Sequence, residues 1–154
     1  MRPSRTSKLL LAAALTVSAL AFAAPLATAD AVYHSQHIEL VPVGASPLES
    51  GFVENIHPNG TEIYAHELYV LNGAEPSRTY QVTLHIFGDT ACSGVLAALP
   101  TAQLVTNANG NAAADIALTP AAVGPLRGST LGVFWRVVSA TSSYRTACST
   151  VVLD

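Results

Sequence analysis

The chain has 154 residues, ten acidic against seven basic side chains, and only 11% charged residues in all. So few scattered cations cannot form the patch that displaces counterions from a nucleic-acid backbone, and nucleic acid is excluded as a partner. The single lysine, Lys8, lies near the N-terminus, so beyond it Schiff-base chemistry and a phosphate-loop lysine are excluded as well.

Arg2, Arg5 and Lys8 form a basic n-region, Leu9 to Ala24 an apolar run, and Ala27-Thr28-Ala29 a small-x-small cleavage pattern. The apolar run falls short of the roughly 20 residues a bilayer span needs. Residues 1–29 therefore read as a signal peptide and 30–154 as one domain, secreted, with no stable membrane insertion after cleavage. Cleavage leaves 125 residues, whose only cations are Arg78, Arg127, Arg136 and Arg145, and moves the formal charge from −3 to −6. An anionic membrane surface is then disfavoured. A chain of this length buries roughly two-thirds of its unfolded surface and folds around its own core.

Val32 to Val41 reads as an N-terminal edge strand interrupted by Pro42 and Pro47. Gly51 to Ile56 is a second short strand. Thr61 to Leu71 follows, with Ile63, Ala65, Tyr69 and Leu71 inward and Glu67 as the exception. Thr79 to Cys92 carries the strongest pattern: Tyr80, Val82, Leu84 and Ile86 on one face, Gln81, Thr83, His85 and Phe87 on the other. The nine residues from Cys92 to Pro100 leave helix and loop both open. Asn59-Gly60, Asn72-Gly73 and Asn109-Gly110 are turn signals, and the third, between Gln103–Thr106 and Asn111–Leu118, predicts a hairpin. Thr119 to Ser129 is a loop. Leu131 to Val138 places Leu131, Val133, Trp135 and Val137 on one face, with Trp135 in the core; Tyr144 to Leu153 is the last strand, reached through the Ser139–Ser143 turn.

Seven or eight short strands without a useful amphipathic helix predict an all-β fold: an immunoglobulin-like Greek-key β-sandwich, with a small β-barrel as the alternative. The two cysteines, Cys92 and Cys148, are expected to form one disulfide in an oxidising compartment.

The runs AEPSRTYQVTL, TNANGNAAADIAL and YRTACSTVVLD resemble those of small exported bacterial immunoglobulin-like modules across Thr61 to Asp154. The Asn-Gly hairpin is also similar to one in chromophore-carrying apoproteins of the neocarzinostatin type. Those proteins have two local disulfides where this chain has one distant pair. The resemblance implies a sandwich fold and export, and says little of activity.

Five histidines raise the question of a metal. His34 and His37 face opposite sides of a strand, and no His-x-His pair occurs. His66 and His85 are the one candidate pair, because a hairpin about Asn72–Thr79 would set them opposite; two imidazoles alone would still leave a zinc site incomplete. His66-Glu67 opens like a zincin motif, yet Val70 stands where the second histidine belongs, and no nucleophile-elbow or Ser-x-x-Lys motif occurs. No catalytic residue, metal or cofactor is expected. The aromatic residues Tyr33, Tyr64, Phe87 and Phe134 are candidates for a ligand-facing surface. The sequence thus points first to a non-catalytic secreted binding or adhesion module for an extracellular protein or glycan, next to a carrier of a small apolar ligand, and last to a metal-binding protein or enzyme.

Overall fold

The computed structural model describes residues 34–57 and 65–152, and backbone alone at His34, His57 and Val123. The expected signal peptide, Tyr33, Asn59-Gly60, Ile63 and Tyr64 lie outside the described residues. Nine strands are described: β1 (His34–Val43), β2 (Ser50–His57), β3 (Ala65–Asn72), β4 (Thr79–Phe87), β5 (Val95–Val105), β6 (Ala112–Leu118), β7 (Thr130–Val138), β8 (Ser143–Thr146) and β9 (Ser149–Val152). One helical turn, α1 (Pro120–Val123), and a 3-10 turn at Gly124–Leu126 separate β6 from β7.

All pairings are antiparallel and fall into two layers. The first layer runs β1-β2-β3-β6; the second runs β5-β4-β7 and then β8 and β9, which lie end to end along β7. The layers share β1. Its residues His34 to Glu39 pair with β2, and Leu40 to Val43 switch to β8. The chain crosses between layers from β3 to β4, from β5 to β6 and from β6 to β7, in Greek-key fashion. The sandwich is therefore almost a closed barrel, open only between β5 and β6, which are the two ends of the path.

The core lies between the layers. Val53, Tyr69, Leu71, Tyr80, Val82, Trp135, Val137 and Tyr144 are fully inaccessible to solvent. The inward faces expected for β4 and β7 are the faces observed, because period-2 alternation on a strand allows only one of two choices. Tyr80 and Tyr144 pack with ring centroids 5.5 Å apart, and the Tyr144 hydroxyl donates to the Pro47 carbonyl at 2.6 Å.

Several expectations need correction. The Cys92–Pro100 segment is loop only as far as Gly94, since β5 begins at Val95 and runs through Pro100. Pro100 is tolerated because β5 is an edge strand with no neighbour beyond it. The Asn109-Gly110 segment is not a hairpin between paired strands, because β5 pairs with β4 while β6 pairs with β3. It is a corner between layers. Asn107 Oδ1 accepts from the Asn109 and Asn111 amides, and the Gly110 carbonyl accepts from Ala74 N at 3.0 Å. Gly110 has φ of 77°, and a Cβ there would stand 2.0 Å from the Ala74 carbonyl oxygen, so Asn-Gly serves docking rather than strand pairing.

Glu67 is no exception to the inward series; it is 1% exposed. Nor is β1 an edge strand ending before Pro42. Around Pro42 it bonds only to β8, which leaves its other side free for a residue without an N–H. Finally, the last strand is broken. Arg136 faces Arg145 while Val133 faces Ser149, so three residues stand opposite the two between Val133 and Arg136. That is a β-bulge, and Thr146 Oγ1 accepts the Trp135 amide at 3.0 Å where the ladder is interrupted.

Candidate ligand-binding groove

Two adjoining hollows lie on the outer face of the second layer. One, of about 510 Å³, is lined by Ile38, Glu39 and Val41 of β1, Cys92, Phe134, and Arg145 to Cys148. The other, of about 230 Å³, is lined by Val43, Phe134, Arg136, Ser143 and Arg145. They share Phe134 and Arg145, and so form one groove of a size that holds a small molecule.

Two backbone irregularities open it. β1 leaves β8 at Leu40 for the other layer, and the bulge turns Ala147-Cys148 out of the ladder. The gap between them is the larger hollow. Its far wall is the Gly88–Gly94 loop, fixed by Asp89, whose carboxylate accepts from Ala91 N (2.9 Å), Ser93 N (3.0 Å), Ser93 Oγ (2.7 Å) and Gly94 N (2.7 Å). These donors hold the Asp89 carboxyl below the usual carboxylate range, the Ser93 backbone and hydroxyl most strongly. The Cys92–Cys148 disulfide, with Cα atoms 6.0 Å apart, ties the loop to the bulge.

The floor is aromatic. Phe134 stacks on His85 at 4.6 Å and meets Phe87 at 5.4 Å. His85 stays below the usual histidine range, chiefly through partial burial and then through the nearby Arg136. Phe87, a candidate ligand-facing residue, is instead 3% exposed, beside the loop that begins at Gly88; this corrects the expectation. Phe134 is half-buried and does line the groove. Arg136 and Arg145 are cross-strand neighbours on the same face, with Val41 opposite Arg145 and Thr83 opposite Arg136.

His66 and His85 are not brought together. β3 and β4 lie in different layers, so the hairpin register does not arise. His66 Nε2 instead bonds Asp115 on the neighbouring β6. His37 has both ring nitrogens engaged, Nδ1 by Glu54 at 3.0 Å and Nε2 by Glu39 at 3.2 Å, and these acceptors, Glu54 foremost, raise its pKa. An imidazole that donates from both nitrogens has no lone pair for a metal or a proton. Ser35 Oγ also donates to Glu54. Among the described residues no group of three His, Cys, Asp or Glu is arranged to hold a metal.

Between the layers a cavity of about 20 Å³ is lined by Glu67, Asn55, Trp135 and apolar side chains. It has room for about one water, and Asn55 Oδ1 and Trp135 Nε1 find no hydrogen-bond partner there. Burial pushes the Glu67 carboxyl up, against the opposing effect of the Tyr69 hydroxyl that donates to it.

The aromatic floor was partly foreseen through Phe134; the arginine pair and the disulfide wall were not. The turn closes at Ser139–Ser142, one residue shorter than the expected Ser139–Ser143, and this sets Arg136 opposite Arg145 rather than Thr146; both belong to the four arginines beyond residue 29.

Comparison with known proteins finds no family model, no curated protein and no solved structure that matches the chain. Among the described residues no helix is long and apolar enough to cross a membrane.

Proposed function

We propose that this chain is an exported, non-catalytic binding protein that carries a small ligand with a planar apolar body in the groove on its second layer. One observation carries the reading: a ligand-sized hollow whose floor is the Phe134 ring and whose wall is the Cys92–Cys148 bridge. Export is supported by the disulfide and by the leader-like residues 1–29. Rigid aromatic side chains with few rotatable bonds lose little entropy when they stack on a ligand. The carrier role thus moves ahead of adhesion to a protein or glycan, which the sequence alone favoured.

The test is titration of the purified protein with fluorescent naphthyl probes. The expected result is saturable binding that weakens about tenfold or more in Phe134→Ala, the loss of one good aromatic contact. Absence of binding, or binding indifferent to Phe134, would overturn the reading.

A further inference from the structure

The geometry points to a narrower occupant: a small planar aromatic acid, with its rings on Phe134 beside the disulfide and its carboxylate or sulfonate between Arg136 and Arg145. This inference rests on the groove being a ligand site. Beyond residue 29 the chain has four arginines, and two of them stand directly opposite each other on β7 and β8. Like charges facing across an antiparallel pair repel and destabilise the sheet, and a guanidinium keeps its charge at every pH the protein meets. Neither of the two has an ion pair or side-chain hydrogen bond among the described residues, whereas Arg78 is paired with Glu75 at 3.3 Å. Glu39 is the one carboxylate lining the groove, and it is turned to His37.

Two adjacent unpaired cations on an acidic chain concentrate positive potential at one place and would be relieved by a bridging anion. Arg136 follows Phe134 by two residues on the same strand face, a rise of about 7 Å. That is the reach of a two-ring aromatic acid. The remaining lining favours such a body over a sugar acid. Ile38, Val41, Ala147 and the disulfide are apolar, the Thr146 hydroxyl oxygen already accepts from the Trp135 amide, and Ser143 Oγ is buried, so the lining offers no exposed hydroxyl free of other bonds to a sugar.

The experiment compares two probes on the purified protein: 1-anilinonaphthalene-8-sulfonate and its neutral counterpart N-phenyl-1-naphthylamine. The sulfonate should bind at least about tenfold tighter, the equivalent of one charge-assisted hydrogen bond. The Arg136→Gln/Arg145→Gln double variant should lose that advantage while its unfolding stays cooperative and its melting temperature does not fall. Equal affinity for both probes, unchanged in the double variant but lost in Phe134→Ala, would overturn the acid inference and leave the groove standing. Failure of both probes to bind would overturn the two readings together. Displacement of the sulfonate by a uronic-acid disaccharide of higher affinity than the probe would overturn the aromatic body in favour of an acidic glycan.

Discussion

Gly132 on β7 lies against the backbone of Asp89: a Cβ built on Gly132 would stand 2.3 Å from the Asp89 carbonyl oxygen and 3.0 Å from Cys92 Sγ. The Gly88–Gly94 loop therefore rests directly on the sheet, and the disulfide can form the wall of the groove only because position 132 has no side chain. Gly132→Ala should displace the loop and cost about 1–3 kcal/mol, as overpacking does. Urea unfolding of the variant measures it. A change below about 0.5 kcal/mol would mean that the loop shifts freely and the wall is soft.

Removing the disulfide tests the same wall through the unfolded state. The bond links cysteines 56 positions apart in sequence, for which chain entropy accounts for roughly 4 kcal/mol. Cys92→Ser/Cys148→Ser should lose about 2–4 kcal/mol in denaturant titration and bind the naphthyl probes more weakly. Full stability with weakened binding would show that the bridge serves the groove alone.

Those two devices differ in how readily the sequence reveals them. The disulfide was legible because a single pair leaves no choice of partner, and the inward faces of β4 and β7 because strand periodicity is two-valued. The Cys92–Pro100 segment was not legible, since VLAALP has no alternation and its strand character comes from pairing with β4. The Asn109-Gly110 hairpin misled because local turn chemistry closes a corner as well as a hairpin; only the long-range register of β5 and β6 distinguishes them. Glu67 looked like an exception because a carboxylate rarely faces a core. The groove depends on the β1 switch and the bulge, neither of which has a residue-level signature here. Arg136 and Arg145 were hidden by a turn one residue shorter than the sequence suggests, since a one-residue change of register alters every pairing.

Trp135 is fully buried, so Trp135→Ala should cost about 3–5 kcal/mol. The native protein, which has one tryptophan, should emit at shorter wavelength than after unfolding. Emission like that of free indole in the folded protein would contradict the burial.

Glu67 makes stability depend on pH in a direction opposite to that of most carboxylates. Its folded pKa is raised above the ordinary value of 4.5, chiefly by burial. The folded state then binds the proton more tightly than the unfolded state does. Stability from this group is fully present below about pH 4.5 and is lost as pH rises from there through the folded pKa. Glu67→Gln, which keeps the shape without the charge, should gain on the wild type as pH rises from 4 to 7. Denaturant melts of both proteins across that range provide the difference; a gap that stays constant or narrows with pH would refute it.

Phe87 and Phe134 touch, yet they should separate cleanly on substitution. Phe87 is 3% exposed beside the Gly88–Gly94 loop, and Phe134 is half-buried with one face on the groove. Truncating a fully buried phenylalanine removes its transfer energy and leaves a cavity, so Phe87→Ala should cost about 3–5 kcal/mol. Phe134 has much of its surface open already, and its contacts with His85 and Phe87 amount to about 0.5–1.5 kcal/mol for each ring pair. Phe134→Ala should therefore lose clearly less stability than Phe87→Ala while losing more probe affinity. Paired measurements, unfolding by denaturant and titration with the naphthyl probes, place each variant on both axes. If Phe134→Ala proved the more destabilising of the two and left affinity untouched, the ring would be a structural prop and the floor of the groove would have to be sought elsewhere.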